Sequence, residues 1–233
     1  MALPEVSQIC LLLEGGATPP LQSTKIKTRV INRRPNYSDF FDWANSEIQS
    51  TDDISVICNS DISLDSSIEE LARNLRPHQC AALSRWDEQP DGSACLFDRN
   101  DSQDTWVFRG PIRSLICDYP MGIPRCDNRI LYELQAAGYE VINPAFSIKT
   151  VHLHAGQREE YPHEIDGLCV DPPYAYRWPH NLLSLPKTAF INVMHPSKRV
   201  GWRLDYRRLA ASLPARIFKR FMRTLFRART HSS

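Results

Sequence analysis

The stretch of residues 54–61 constrains the fold more than any other part of this chain, because an apolar run there ends abruptly in polar side chains. Ile54–Cys58 predicts a buried strand, since five residues are too few for a core helix and Ile and Val favour extended backbone. Asn59 and Asp61 follow, and Asp65 lies four residues further on. A strand that ends in oxygen-bearing side chains is a common way to build a cation and phosphate site at the edge of an α/β sheet. The alternative is a simple turn, with Asp65 capping the next helix.

The composition is that of an ordinary globular protein. The 233 residues suffice for one substantial core, and the hydrophobic and charged fractions are 42% and 24%. The seven cysteines include no CxxC pair, and the apolar run at residues 9–13 is too short for a signal peptide. We therefore expect a cytoplasmic protein with reduced thiols. No run approaches the roughly 20 apolar residues that a membrane helix needs.

Strand and helix patterns alternate through the first two thirds of the chain. The sequence predicts three helices here. The first begins after Asn36, the second covers residues 66–75, and the third begins at Asp127 and ends at Gly138. Strand patterns occur, besides Ile54–Cys58, at residues 7–13, 25–32, 79–85, 94–97, 105–108, 139–142 and 148–154. This alternation predicts an α/β domain over residues 1–155, with a mixed sheet flanked by helices.

Residues 156–233 have a different character, and we expect them to form a C-terminal arm. Six prolines between residues 162 and 196 argue against long helices or central strands, so the arm should be extended. Residues 198–233 hold eleven Lys or Arg and one acid, so this tail carries +10 and the rest of the chain −9. Within the tail, residues 215–229 predict a basic amphipathic helix that lies on an anionic membrane or docks on the protein's own core. No nucleic-acid-binding motif accompanies it, so we expect no nucleic-acid partner.

A loop containing Gly122 and Pro124 delivers Asp127 to the start of the best-defined helix. The simpler interpretation is that Asp127 is the helix N-cap. The other is that it acts as a general base, which needs the fixed placement that backbone N–H groups at a helix start provide. The two roles are compatible, and the sequence leaves both open.

Two histidines lie near the end of the last predicted strand of the domain. His152 and His154 are two residues apart, so they should point to the same face of the sheet. Imidazole is both a metal ligand and a proton carrier. The pair is therefore a candidate for a site, and the alternative is a polar sheet edge.

Tryptophan lies beside carboxylate groups at two places. Trp86 precedes Asp87, and Trp106 follows Asp104 by two residues. This combination suits sugars, because an aromatic ring stacks on the apolar C–H face while polar groups bind the hydroxyls. The alternative is a half-buried tryptophan in a turn.

The order of these groups resembles the GT-A class of nucleotide-sugar glycosyltransferases, and most of all the inverting, family-2-like enzymes of bacterial polysaccharide synthesis. The resemblance covers residues 7–155: a strand ending in an acidic motif, middle strands, a helix stopped at Gly138, and a strand ending in His-x-His. In that family an Asp-x-Asp motif usually holds Mn²⁺ or Mg²⁺ against the donor diphosphate, and residues 59–61 (Asn-Ser-Asp) stand in its place. A later Glu-Asp-x-Asp motif usually supplies the base, and residues 126–129 (Cys-Asp-Asn-Arg) stand there.

The resemblance implies a Rossmann-like GT-A fold and a hexosyltransferase that moves a sugar from a nucleotide-diphosphate donor to a glycan or lipid-linked acceptor. Asp127 would be the catalytic base. The residues implied for the diphosphate and for Mn²⁺ or Mg²⁺ are Asn59, Asp61, Arg129, His152 and His154. Those implied for the substrate pocket are Trp86, Asp104, Trp106 and Arg109. The basic terminal helix would keep this cytoplasmic enzyme near the inner membrane face.

Two positions depart from the family pattern. Asn59 replaces the first Asp of the metal motif, and Cys126 replaces the Glu before the base. Both favour a second hypothesis, a non-catalytic glycan- or nucleotide-sugar-binding protein on the same fold. A third hypothesis is a metal-dependent hydrolase that uses Asp61, Asp127 and the two histidines. Such a hydrolase would cleave sugar nucleotides without an acceptor, whereas a transferase needs one.

Overall fold

The computed structural model describes residues 5–15, 17–18, 22–153 and 169–180. All of them belong to one compact unit, which combines helices with sheets of mixed strand direction, so the predicted α/β class is confirmed. Most of the predicted C-terminal arm lies outside these residues, as does the whole predicted helix at 215–229. In the part of the chain that is described, no helix has the length and apolar character to span a membrane.

The observed elements agree with the predicted ones to within a few residues wherever a clear pattern existed. The strands are β1 (Ile9–Glu14), β2 (Ile26–Ile31), β3 (Ile54–Cys58), β4 (Ile62–Leu64), β5 (Gln79–Leu83), β6 (Trp86–Glu88), β7 (Ala94–Leu96), β8 (Thr105–Arg109), β9 (Glu140–Ile142) and β10 (Thr150–His152). The helices are α1 (Tyr37–Glu47), α2 (Ser67–Asn74) and α3 (Cys126–Ala136). The sequence predicted neither β4 nor β6, whose short segments (Ile-Ser-Leu and Trp-Asp-Glu) contain polar residues and directly follow other predicted or polar segments.

The central sheet has the strand order β3-β8-β5-β9. Strands β3, β5 and β9 are parallel to one another, and β8 runs antiparallel between β3 and β5. Alternate residues of β8 reach opposite faces: Trp106 packs with α1 and α3, whereas Val107 packs with α2. Helices therefore cover both faces of this sheet, and its two inner strands, β5 and β8, are buried on both sides.

A second sheet has the order β4-β10-β6-β7. Among the described residues the chain passes between the two sheets five times, through the links β3 to β4, β4 to β5 (by way of α2), β5 to β6, β7 to β8, and β9 to β10. Three of these links leave the carboxyl ends of the parallel strands of the central sheet. We call this boundary the seam. Polar residues of the links, including Asn59, Arg85 and Asn143, are concentrated there.

The first two strands form a separate parallel pair instead of joining the central sheet. This pair is attached to α1, because Lys27 forms an ion pair of 2.6 Å with Glu47 and the Arg29 guanidinium lies 4.3 Å from the Trp43 ring centroid. The sequence predicted both strands but carried no signal for their partner.

Residues 169–180, which we call the strap, run without regular secondary structure across the start of α3 and along the seam. Four strap N–H groups are bound by carbonyls of the main body: Val170 to Pro124, Ala175 to Asn128, Arg177 to Asn100 and His180 to Asn143, at 2.8–3.1 Å. The strap is thus fixed to the edge of the domain on which the parallel strands end.

Candidate functional site

The seam places several predicted site residues at the carboxyl ends of β3, β5 and β9. In open α/β sheets, ligands bind in the crevice outside these strand ends, because the chain diverges there and leaves loops that can supply side chains. The antiparallel β8 also contributes, since its amino end lies at the same edge and Asp104 directly precedes it.

Asp61 binds His152 across the second sheet. The Asp61 carboxylate lies 2.8 Å from Nε2 of His152, and Nδ1 of the same ring lies 3.7 Å from the Asp87 carboxylate. The pairing of β4 with β10 and of β10 with β6 brings the three residues together. Asp61 does not cap a helix, since β4 follows it; it is Asp65, just before the N-cap Ser66 of α2, that accepts the Ser67 N–H at 2.9 Å.

Asp104 lies at the centre of the seam and is 5% exposed. The Arg85 guanidinium bridges the carboxylates of Asp87 and Asp104 at 2.7 and 3.1 Å, and the Asn59 amide donates to Asp104 at 3.2 Å. Burial raises the pKa of Asp104, while the charge of Arg85 acts in the opposite direction. The charges of His152 and Asp61 also act on the pKa of Asp104, which shows that all of these groups share one electrostatic environment.

Asp127 lies in the first turn of α3 and is not its N-cap. The N-cap is Arg125, whose φ of 71° puts its backbone in the left-handed region. The Asp127 carboxylate instead accepts hydrogen bonds from the Tyr37 hydroxyl at 3.3 Å, from the Cys126 thiol at 3.3 Å and from the backbone N–H of Gln103. The interpretation of Asp127 as a simple N-cap is therefore wrong.

The environment of Asp127 favours its protonated form near neutral pH. Burial is the largest cause and the negative charge of Asp104 the next, and together they raise the pKa of Asp127 to about 7. A carboxylate with a pKa near the working pH is suited to take up a proton during a reaction. This property separates Asp127 from surface carboxylates that only form ion pairs.

The structure thus brings together five predicted site residues and two polar neighbours of Trp86. We call the group the seam cluster; its members are Asn59, Asp61, Arg85, Asp87, Asp104, Asp127 and His152. Arg85 and Asp87 flank Trp86 in the sequence, where they were expected only as polar groups beside a sugar-binding ring, and their spacing of two puts both on the same face of an extended segment. Tyr37 was expected only as part of an apolar helix face, and a buried tyrosine needs a partner for its hydroxyl.

Three other predicted residues are not available to a ligand at the seam. Trp106 is 1% exposed, with its ring packed edge-on against Tyr37. Arg109 lies at the opposite end of β8, where it binds the carbonyls of Leu75 and Ala72. Arg129 forms an ion pair with Glu133 and binds strap carbonyls, so it holds the strap in place.

Trp86 flanks the seam cluster with part of its ring exposed. Its indole N–H donates to the Ala145 carbonyl at 2.9 Å, and the Lys149 ammonium lies 5.2 Å from the ring centroid. The ring is therefore fixed in place beside Asp87. His154, the second predicted histidine, lies outside the described residues.

The described side chains do not form a ready metal centre. In the part of the chain that the structure describes, no three His, Cys, Asp or Glu side chains are placed to hold one ion. Asp61 and His152, the predicted ligands, are bound to each other. The role predicted for Mn²⁺ or Mg²⁺ consequently remains a prediction from the resemblance.

Comparison with known proteins assigns no family to this arrangement. No family model matches the chain, and no curated protein or solved structure is significantly similar to it. The chemistry of the site is therefore argued from the seam cluster alone.

The contribution of the Tyr37 hydroxyl to stability can be tested against that of the neighbouring Tyr119 hydroxyl. Tyr37→Phe should lower the free energy of unfolding by about 1–3 kcal/mol, because the Asp127 carboxyl and the Cys126 sulfur would lose their shared donor. Tyr119 packs on Tyr37 with ring centroids 5.6 Å apart, and its buried hydroxyl has no partner among the described residues. Tyr119→Phe should therefore leave the free energy of unfolding unchanged or raise it. Urea denaturation of both variants measures the difference, and equal losses would contradict the assignment.

Proposed function

We propose that the chain is a glycosyltransferase that moves a sugar from a nucleotide-diphosphate donor to a hydroxyl of a glycan or lipid-linked acceptor. The observation that carries the proposal is the arrangement of Asp127 beside Asp104, at the same strand ends as Asp61 and His152. Each of these residues comes from a different element, and helix capping does not account for their convergence. The order of the same residues along the chain supports the choice of glycosyl transfer over other reactions that use a base.

In the proposed reaction Asp127 is the general base. The acceptor hydroxyl oxygen attacks the anomeric carbon of the donor, and its proton passes to the Asp127 carboxylate. The bond between the anomeric carbon and the diphosphate oxygen breaks, and the leaving nucleoside diphosphate keeps the electron pair. The Tyr37 hydroxyl and the Gln103 N–H hold the carboxylate in one orientation, as a base needs.

Positive charge for the leaving diphosphate is present at the start of α3. The exposed guanidinium of Arg125, two residues before Asp127, makes no hydrogen bond or ion pair within the described part of the chain. The amino end of α3 adds the positive end of the helix dipole. Arg85 does not serve here, because the carboxylates of Asp87 and Asp104 neutralise it.

The test is the release of nucleoside diphosphate from a panel of UDP-, GDP-, dTDP- and CDP-linked hexoses, with and without a panel of oligosaccharide acceptors. Each reaction is run with Mn²⁺, with Mg²⁺ and with EDTA. The proposal predicts release that depends on an acceptor and yields an elongated product. Release without any acceptor would indicate the hydrolase, and saturable binding without turnover would indicate the binding protein that Asn59 and Cys126 favour.

A further inference from the structure

We propose that the outer face of the strap is a binding site for a saccharide chain, with the rings of Tyr174 and Tyr176 as its stacking platform. The inference extends the proposed function, since the bound chain would be the acceptor. Binding of a saccharide chain can nevertheless be measured without any turnover, so the two ideas can fail separately.

The direction of the side chains along the strap follows from its contacts. Ala175 packs against the core, and Nε of Arg177 donates to the Val141 carbonyl at 2.6 Å, so both side chains point inward. The N–H groups of these two residues donate to carbonyls of the body, which is the pattern of an extended segment lying along an edge. Side chains alternate in extended backbone, so Tyr174 and Tyr176 lie on the other side of the strap from Ala175 and Arg177. Tyr174 is half-buried, and its hydroxyl donates to the Val170 carbonyl at 2.5 Å, which holds its ring against the strap. Tyr176 is 47% exposed, so its ring is accessible to a ligand.

The platform is held in place before any ligand arrives. The carbonyl of Arg177 accepts hydrogen bonds from the buried side chains of Gln103 and Asn143. The N–H of Asn143 donates to Nε2 of His180 at 2.8 Å, and this hydrogen bond connects the end of the strap to the body. A backbone that is fixed in this way loses little conformational entropy when a ligand stacks on the rings it carries.

Polar groups of both signs border the rings. The Arg125 guanidinium lies 5.8 Å from the centroid of the Tyr174 ring. Asp101 lies close by: its two hydrogen bonds from Arg99, and to a smaller extent the charge of Arg125, lower the pKa of its carboxyl. A ring that stacks on a C–H face, next to a carboxylate and a guanidinium that bind hydroxyls, is the combination that recognises a sugar. A nucleic acid would instead require a run of cations to match its phosphates.

The position of the platform connects it with the proposed base. The backbone carbonyl of Asn128 accepts the N–H of Ala175 at 2.9 Å, and the Asn128 side chain donates to the Ala175 carbonyl at 3.3 Å. Asn128 is the residue after Asp127, so the strap and the base are joined through one turn of α3. A saccharide chain stacked on the strap would thus place its end beside Asp127.

The probes are four neutral soluble polysaccharides, namely dextran, laminarin, galactomannan and hydroxyethyl cellulose, each cast into a native gel. The full chain should be retarded by at least one of them. Tyr176→Ser should weaken the apparent affinity by about tenfold, since the stacking contact and the apolar area buried with it are both lost. Tyr176→Phe should retain the affinity, because the ring remains.

The matched control is Tyr132→Ser, which removes another exposed tyrosine, 38% exposed, on α3. It should leave retardation unchanged. Migration unaffected by all four polysaccharides, or an equal loss in Tyr132→Ser and Tyr176→Ser, would overturn the proposal. Retardation by a polysaccharide without sugar-nucleotide turnover would reject only the proposed function, and turnover without retardation would reject only the strap site.

Discussion

Asp127→Asn should lower the rate of acceptor-dependent sugar-nucleotide turnover by about 10²–10⁴-fold, which is the usual contribution of a positioned general base. The amide has nearly the same shape as the carboxyl group, so the fold and the hydrogen bond from Tyr37 should be retained. It cannot take up the acceptor proton, however. We expect the loss in kcat rather than in KM, measured as released nucleoside diphosphate at saturating acceptor.

The pH dependence of the wild-type rate provides a second readout for Asp127. A base must be ionised to act, so the rate should rise with pH and level off above the pKa of Asp127, which burial and the charge of Asp104 raise to about 7. Asp104→Asn removes the neighbouring negative charge, so the pKa of Asp127 should fall and the rising limb should move to lower pH. A profile that does not move would contradict the electrostatic coupling of the two carboxyl groups.

Asp65→Asn is the control for a carboxylate with a purely structural task. Asp65 accepts the Ser67 N–H at the start of α2, and Asn caps helices about as well as Asp. This variant should turn over sugar nucleotides at the wild-type rate. If Asp65→Asn and Asp127→Asn lost activity equally, the loss would reflect general damage to acidic residues and not the removal of a base.

The sequence predicts those parts of the fold that depend on local patterns. The strand Ile54–Cys58 was predicted with its observed bounds, and the apolar face of α3 was predicted through Ile130, Leu131 and Leu134, which are fully buried. Both follow from periodicity within a single element, where the spacing of apolar residues decides the structure.

The parts that escaped prediction depend on pairing between distant segments. The resemblance assigned Asp61 and His152 to one metal site, but these residues are 91 positions apart, and only the register of β4 against β10 brings their side chains into direct contact with each other. Trp106 was expected at a sugar site because its neighbours are polar, but β8 is a central strand with helices on both faces, so its alternate residues are all buried. The resemblance assigned Arg129 to the diphosphate, and nothing in the local sequence indicates that this guanidinium binds the carbonyls of the strap instead.

Arg85→Met should lower the free energy of unfolding by about 3–5 kcal/mol, which is the typical cost of removing one partner from a buried ion pair. The side chains of Arg85 and Asp104 are only 11% and 8% exposed. Methionine retains most of the apolar stem that packs near Phe97, where the guanidinium now lies 4.6 Å from the ring centroid. It leaves the Asp104 carboxylate in a buried position with Asn59 as its remaining side-chain donor. Urea denaturation at pH 7 measures the loss.

Arg99→Met is the matched control, because Arg99 lies over the same ring at 5.4 Å and also pairs with an aspartate. Its side chain is 49% exposed, and water screens the charge of Asp101 when the arginine is removed. Exposed ion pairs contribute about 0–1 kcal/mol, so this variant should lose no more than that. A similar loss in both arginine variants would mean that packing on Phe97, and not the buried charge, accounts for the effect.

The combination of Arg85→Met with Asp104→Asn separates a buried charge from lost packing. If the cost of Arg85→Met comes from the uncompensated carboxylate, the double variant should recover most of the lost free energy, because the amide that replaces the Asp104 carboxylate carries no charge.

Lowering the pH should also reduce the loss of stability in Arg85→Met. Without Arg85 the pKa of Asp104 rises further above its ordinary value, so lowering the pH protonates the carboxyl group in the folded state and reduces the penalty. Two results would contradict the view that Arg85 stabilises a charged aspartate inside the seam. The first is that Arg85→Met lowers the free energy of unfolding equally at pH 5 and pH 8. The second is that Asp104→Asn does not reduce this loss.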